Sequence, residues 1–140
     1  MIRIIKGDCI KSLKKLDDKS VNTCITSPPY WGLRDYNGED KQLGMEDTPE
    51  EFISNLVDVF REVKRVLRDD GTVWLNLGDT YCGTGHKGNY TDPKHKEGRN
   101  GQKIALNNKI DGLKSKDLVG IPWRVALALQ QDGWYLRQDI

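Results

Sequence analysis

The residues from Thr26 to Tyr30, Thr-Ser-Pro-Pro-Tyr, combine a hydroxyl and an aromatic ring with two consecutive prolines. Proline has no N–H and pushes the residue before it toward extended geometry, so the carbonyls of Ser27 and Pro28 cannot join a helix. With the Ser27 hydroxyl and the Tyr30 ring, they give two or three acceptors beside a flat apolar face. That suits a planar group bearing –NH₂. A rigid turn, or a polyproline ligand for a partner domain, is the alternative.

The elements that must position this corner alternate between strands and helices. Apolar patterning predicts strands at residues 3–6, 21–26, 72–77 and 134–137, and helices at 10–16, 49–70 and 122–132. This alternation is typical of a parallel α/β sheet, in which ligands bind at the carboxyl ends of the strands. Because the corner follows the predicted strand 21–26, we expect it at that edge.

The second helix has the clearest local signals. Thr48 is its predicted N-cap, Pro49 takes the first helical position, and Glu51 is placed to complete a capping box. Gly71 is predicted to end the helix. The expected apolar stripe consists of Phe52, Leu56, Val59, Phe60, Val63 and Leu67.

Length and cysteine content set broad limits on the class of protein. The 140 residues predict a single domain, and no signal peptide or membrane-spanning run is visible. The chain has an odd number of cysteines, and they are widely spaced: Cys9, Cys24 and Cys82. We therefore expect no disulfide framework and a cytoplasmic location.

A group of four short motifs carries a resemblance to a known family. The run Ser27-Pro28-Pro29-Tyr30-Trp31 resembles the catalytic motif of the amino-group DNA methyltransferases, which modify cytosine N4 or adenine N6. Residues 5–9, Ile-Lys-Gly-Asp-Cys, resemble the acidic cofactor-side motif of that family. Residues 71–79 and 120–123 also resemble sequence motifs that are common in this family. The order of the motifs resembles that of the permuted members, in which the catalytic motif comes first.

The resemblance implies a Rossmann-like, S-adenosylmethionine-dependent methyltransferase fold, with residues 1–140 as the N-terminal part of one catalytic domain. It implies methyl transfer to an exocyclic amine, with Ser27, Pro28, Pro29 and Tyr30 as the catalytic corner. The Ser27 hydroxyl and the Pro28 carbonyl would accept the hydrogens of the amine, and Tyr30 would stack on a base flipped out of double-stranded DNA.

The resemblance also implies a cofactor site at Asp8 and Cys9, although an acid in the position of Asp8 is often just a helix N-cap. Ser27 favours cytosine N4 over adenine N6, and a protein glutamine methylase is disfavoured because Asn is absent there. No cysteine follows a proline, so carbon-5 chemistry has no support. A noncatalytic DNA-binding or scaffold piece is the alternative from another class, and a cognate restriction enzyme is a possible partner.

Residues 83–116 form a basic insert, too long for an ordinary connection. They hold eight Lys or Arg against three Asp or Glu, a net +5, while the rest of the chain carries a net −4. The insert is interpreted either as a solvated loop or as a DNA-facing loop whose basic side chains neutralise phosphates. Both interpretations hold if the loop becomes ordered only when DNA is bound. The expected DNA-binding residues are Arg34, Lys87, Lys94, Lys96, Arg99 and Lys103.

Two other patterns in the insert are set aside. The run from Gly83 to Gly88 fits G-x-G-x-x-G, but turn residues follow it where a dinucleotide site needs a helix. Cys82, His86 and His95 lack the spacing of a metal site, so none is expected.

The sequence lacks the Phe-x-Gly-x-Gly turn with which family members hold the methionine half of the cofactor. We therefore expect the chain to be the catalytic half of a longer or split enzyme that needs a C-terminal half or a complementing chain. The strand before Ser27 would then keep an unpaired edge. Alone, the chain is expected to bind S-adenosylmethionine weakly or not at all and to show no turnover.

Overall fold

The computed structural model describes residues 2–33, 42–83 and 110–140. Within these ranges the elements, in chain order, are α1 (Cys9–Leu13), β1 (Val21–Thr26), α2 (Pro49–Val66), β2 (Leu67–Leu75) and α3 (Ile121–Gln131).

The two strands form a parallel sheet, as the alternation of elements predicts. Val21 pairs with Leu67, and after an irregularity the register runs from Thr23 with Thr72 to Thr26 with Leu75. Beyond β2, the Asn76 N–H donates to the carbonyl of Thr26 over 2.9 Å. The carboxyl ends of β1 and β2 therefore lie side by side. The α/β class is confirmed, while the complete Rossmann-like sheet stays a prediction.

Helix α2 has the predicted N-cap and first residue and forms the centre of the core, while the return bond from the Glu51 side chain that would complete a capping box stays a prediction. Thr48 is its N-cap, and the Thr48 hydroxyl accepts the Glu51 N–H over 3.2 Å. One stripe of α2 packs against the inner face of the sheet, and α3 packs against α2. The fully buried side chains are Trp31, Phe52, Leu56, Phe60, Val66, Ile121 and Val125.

The prediction that Gly71 ends α2 is wrong. The helix ends at Val66, and Leu67 is already extended, with ψ 142°. An apolar residue at this position fits a helix stripe and a buried strand equally well, and pairing with Val21 selects the strand. Gly71 instead lies inside β2, where a Cβ would come within 2.9 Å of the Arg68 carbonyl and 3.0 Å of the Asn22 carbonyl.

The strands predicted at residues 3–6 and 134–137 are also wrong. Both segments lack regular structure, and Ile4 is 89% exposed. A strand forms only by hydrogen bonding to another strand, and in the described part of the chain neither segment pairs with β1 or β2. Trp134 instead packs edge-on against Phe60 with ring centroids 6.2 Å apart, and the Lys64 ammonium lies over its ring.

The first and third helices agree with the sequence in place but not always in length. Helix α1 ends at Leu13, short of the predicted Leu16. Helix α3 has Pro122 in its first turn, and Gly133, with φ +92°, follows its end as predicted. None of the described helices is long and apolar enough to cross a membrane.

In the part of the chain that the structure describes, no element packs on the outer face of the sheet. Ile25 and Trp74 are paired neighbours on this face and are 78% and 52% exposed. Thr23 and Thr72 lie beside them, with their hydroxyl oxygens 3.0 Å apart. Parallel strands are usually covered on both faces, so this apolar surface is unusual for a parallel sheet.

Candidate active site

The Ser27–Tyr30 corner lies where the sequence places it, directly after the last residue of β1. The Ser27 hydroxyl is exposed and donates to the Tyr30 Oη over 3.4 Å. Neither the Ser27 carbonyl nor the Pro28 carbonyl accepts a hydrogen bond from any residue in the described ranges. The corner therefore brings one hydroxyl, two carbonyls and an aromatic ring together at the carboxyl end of the sheet.

The Tyr30 ring lies against Gly78, in the segment that follows β2. A Cβ on Gly78 would be 2.5 Å from Cε2 and 2.6 Å from Cδ2 of that ring. The bare backbone of Gly78 thus forms part of the surface on which Tyr30 rests. Residues 71–79 match the family pattern, but no sequence signal indicates that this glycine touches the corner.

A second loop supports the corner from the other side. The buried Trp31 donates its Nε1–H to the carbonyl of Glu46 over 2.9 Å, and the Gly32 N–H donates to the Gly44 carbonyl over 2.8 Å. The Glu46 carboxylate accepts the Gly44 N–H over 2.8 Å and the Asn55 side-chain amide over 3.0 Å. Glu46 thereby ties the turn after Tyr30 to α2.

Asp79 joins the end of β2 to the start of α3. Its carboxylate accepts the Gly120 N–H over 3.0 Å and the Ile121 N–H over 2.9 Å, in addition to the Thr80 N–H over 2.9 Å. The N–H groups of Gly120 and Ile121 lie at the start of α3, where N–H groups have no hydrogen-bond partner inside the helix. A side chain 41 residues earlier in the chain therefore caps α3.

Replacing Asp79 by alanine is expected to lower the free energy of unfolding by about 1.5–3 kcal/mol, because charged hydrogen bonds to partly buried N–H groups are removed. Urea denaturation measures this change. Asp79→Asn keeps one acceptor and should be less destabilised. The control is Asp69→Ala, whose side chain is 83% exposed and pairs with Lys19 on the surface, so that stability should hardly change. Wild-type stability of Asp79→Ala would contradict the capping role.

Asp8 is the N-cap of α1, as the simpler of its two interpretations predicted. Its Oδ1 accepts the Lys11 N–H over 2.8 Å. Partial burial, and then the neighbouring Asp8 carboxylate, raise the pKa of the Cys9 thiol, so the neutral thiol is favoured. No hydrogen bond in the described ranges joins either residue to the Ser27–Tyr30 corner. A cofactor role for Asp8 and Cys9 stays a prediction.

The expected DNA-binding residues, from Arg34 to Lys103, all lie outside the described residues, as do His86 and His95. In the part of the chain that is described, no three His, Cys, Asp or Glu side chains are grouped as metal ligands.

The two ends of the basic insert are described and run side by side. The Val119 N–H donates to the Thr80 carbonyl over 2.9 Å, and the Cys82 N–H donates to the Asp117 carbonyl over 2.8 Å. The Lys116 N–H returns a bond to the Cys82 carbonyl over 2.7 Å. The insert therefore leaves and rejoins the domain only a few residues from Gly78 and Asp79, close in sequence to the surface on which Tyr30 rests.

Comparison with known proteins places the chain in a family. A family model described as DNA methylase, of the N6/N4 class, matches residues 21–140, from the first residue of β1 onward. The chain belongs to the amino-group DNA methyltransferase family.

Individual relatives are similar over nearly the whole chain. It is 49% identical to the Type II methyltransferase M.SmaI of Serratia marcescens over 99% of its own length and 46% of that protein. It is 50% identical to M.Cfr9I of Citrobacter freundii over 98% of its length and 44% of that protein. The chain thus spans less than half the length of these relatives. No solved structure matches it.

Proposed function

We propose that the chain is the catalytic part of a site-specific DNA methyltransferase that transfers a methyl group to an exocyclic amino group of a flipped base. The observation that carries this proposal is the Ser27–Tyr30 corner, which presents a hydroxyl and two carbonyls beside an aromatic ring at the carboxyl end of β1. The family membership and the names of the relatives, Type II methyltransferases, support it.

The corner can activate an amine without a covalent step. The lone pair of an exocyclic amine is delocalised into the base, so the nitrogen is a weak nucleophile. When the Ser27 hydroxyl oxygen and the Pro28 carbonyl accept its two hydrogens, the nitrogen is held in line and takes on more sp³ character. Orientation and preorganised dipoles are then the main sources of rate enhancement.

S-adenosylmethionine supplies an electrophilic methyl group when it is bound. Asp8 fits the hydroxyls of such a ligand, because its cap to Lys11 uses Oδ1 and, among the described residues, Oδ2 accepts no hydrogen bond. We propose Asp8, with Cys9 beside it, for the adenosine side.

Cytosine N4 is the preferred target because Ser, rather than Asp, precedes the two prolines, and adenine N6 is the alternative. A noncatalytic DNA-binding piece is the alternative from another class. Transfer of a labelled methyl group from S-adenosylmethionine to duplex DNA by the complete enzyme separates catalysis from binding alone. We expect label in the DNA, and binding of DNA without transfer would contradict the proposed function.

The relatives are more than twice as long as this chain, and Ile25 and Trp74 leave one sheet face bare. We therefore propose that the active domain includes further segments, in the same or a complementing chain, that cover this face. Weak or absent S-adenosylmethionine binding by these 140 residues stays a prediction for calorimetry.

We propose that the basic insert contacts DNA phosphates, with Arg34 as a second contact. The paired ends of the insert at Thr80–Cys82 and Asp117–Val119 support this proposal, because they adjoin the segment that touches Tyr30. We also propose a restriction enzyme of the same sequence specificity as a functional partner. A Type II methyltransferase would protect DNA from cleavage by such an enzyme.

Neutralising Lys94, Lys96 and Lys103 with glutamine should flatten the salt dependence of DNA binding by about one unit of log–log slope for each phosphate that the insert no longer neutralises. The measurement is the dissociation constant of the complete enzyme for duplex DNA over a series of salt concentrations. Neutralising Lys11, Lys14 and Lys15 makes the same change of charge near α1 and is the control. An unchanged slope in the insert variant would contradict the phosphate contacts and favour the interpretation of the insert as a solvated loop.

A further inference from the structure

Gly78 differs from those glycines of the chain whose backbone conformation, with a positive φ, favours glycine. Its φ is not in the left-handed region, so an alanine could adopt the same backbone. What excludes a side chain is the Tyr30 ring, since a Cβ would lie 2.5 Å from Cε2, a distance that real Cβ atoms essentially never show. The Tyr30 ring therefore occupies the space that a side chain at position 78 would need.

The backbone on either side of Gly78 is fixed. Two residues before it, the Asn76 N–H is bonded to the Thr26 carbonyl over 2.9 Å. One residue after it, Asp79 is bonded to the first N–H groups of α3. Because the chain is anchored by a backbone bond at Asn76 and by the Asp79 side chain, we expect a methyl group on Gly78 to move the Tyr30 ring rather than the backbone around residue 78.

A displaced ring would also separate the two hydroxyls of the corner. The distance between the Ser27 Oγ and the Tyr30 Oη is already long, at 3.4 Å. We propose that Gly78 is a positioning residue for methyl transfer: it sets the position of the Tyr30 ring, and so where the target base stacks relative to the Ser27 hydroxyl. This proposal rests on the proposed function and adds to it a residue that acts through Tyr30.

The experiment is a double-mutant cycle in the complete enzyme, comprising the wild type, Gly78→Ala, Tyr30→Ala and the double variant. The kcat/KM for methyl transfer to duplex DNA should fall about 5- to 150-fold in Gly78→Ala, the range set by the stacking of one base. In the Tyr30→Ala background the same change should cost at most about twofold, because the ring it displaces is gone.

Gly71→Ala, in the preceding strand β2, is the matched control. A Cβ there meets the Leu67 side chain at 2.7 Å and the Asn22 carbonyl at 3.0 Å, and not Tyr30. Gly71→Ala should therefore lower the melting temperature and cost the same factor in both backgrounds. Equal falls in kcat/KM for Gly78→Ala in both backgrounds would overturn the proposal, and so would no fall at all.

Thermal unfolding of the same four proteins gives a readout that does not depend on activity. Gly78→Ala should lower the melting temperature when Tyr30 is present and should be tolerated when it is alanine, so the double variant folds even where the single one fails. If Gly78→Ala lowered the melting temperature equally in the wild-type and Tyr30→Ala backgrounds, the proposed steric coupling would be contradicted. If the wild type transfers no methyl group, the proposed function fails and this inference fails with it; transfer without coupling overturns this inference alone.

Discussion

In the complete enzyme, Ser27→Ala is expected to lower the rate constant for methyl transfer by about 10²–10³-fold, the usual effect of removing one preorganised hydrogen-bonding group. The Ser27 side chain is exposed and its hydrogen bond with Tyr30 is long, so little packing depends on it. The effect should therefore appear in the chemical step. Single-turnover transfer of labelled methyl at saturating DNA and S-adenosylmethionine measures it, and the melting temperature should not change.

Ser20→Ala is the matched control for Ser27→Ala. Its hydroxyl donates to the Asp17 carbonyl over 2.6 Å in an exposed turn at the opposite end of β1. The same chemical change there should leave the rate constant near that of the wild type. Full activity of Ser27→Ala in this assay would show that its hydroxyl has no role in the reaction.

Tyr30→Ala has the second-largest expected effect on the reaction, because a flipped base would lose its stacking partner. Stacking on an aromatic side chain contributes about 1–3 kcal/mol per base, which corresponds to a fall in kcat/KM of about 5- to 150-fold. Steady-state kinetics with duplex DNA measure this fall. The fluorescence of 2-aminopurine placed at the target position reports the flipped state independently of methyl transfer.

Tyr30→Phe separates stacking from hydrogen bonding at this position. It keeps the ring that rests on Gly78 and removes only the Oη that contacts the Ser27 hydroxyl. Most of the kcat/KM should therefore remain in Tyr30→Phe. If Tyr30→Phe and Tyr30→Ala reduced activity equally, the ring would not be acting as a stacking surface.

The sequence predicted those features that depend on neighbouring residues. The start of α2 follows from Thr48, Pro49 and Glu51, which act within one turn, and the corner follows from two prolines after an apolar run. The end of α2 was mispredicted because Leu67 suits either element, and its pairing with Val21 decides between them. Such a pairing joins residues far apart in the chain and leaves no local pattern.

The supports of the corner could not be predicted for the same reason. Gly78 touches a ring 48 residues earlier in the chain, and Glu46 bonds to Gly44 and to Asn55 with no repeating pattern to indicate it. The predicted strands at residues 3–6 and 134–137 have strand-like composition, but a strand also needs a neighbour to pair with. In the described part of the chain, neither segment pairs with β1 or β2.

We propose that the corner directs a methyl group to an exocyclic amine, and nucleoside analysis of methylated DNA tests this proposal. Duplex DNA is treated with the complete enzyme and isotopically labelled S-adenosylmethionine, digested to nucleosides and examined by mass spectrometry. We predict labelled N4-methylcytosine, and N6-methyladenine would keep the mechanism while changing the base. Label at cytosine carbon 5, or none in the DNA, would contradict the account.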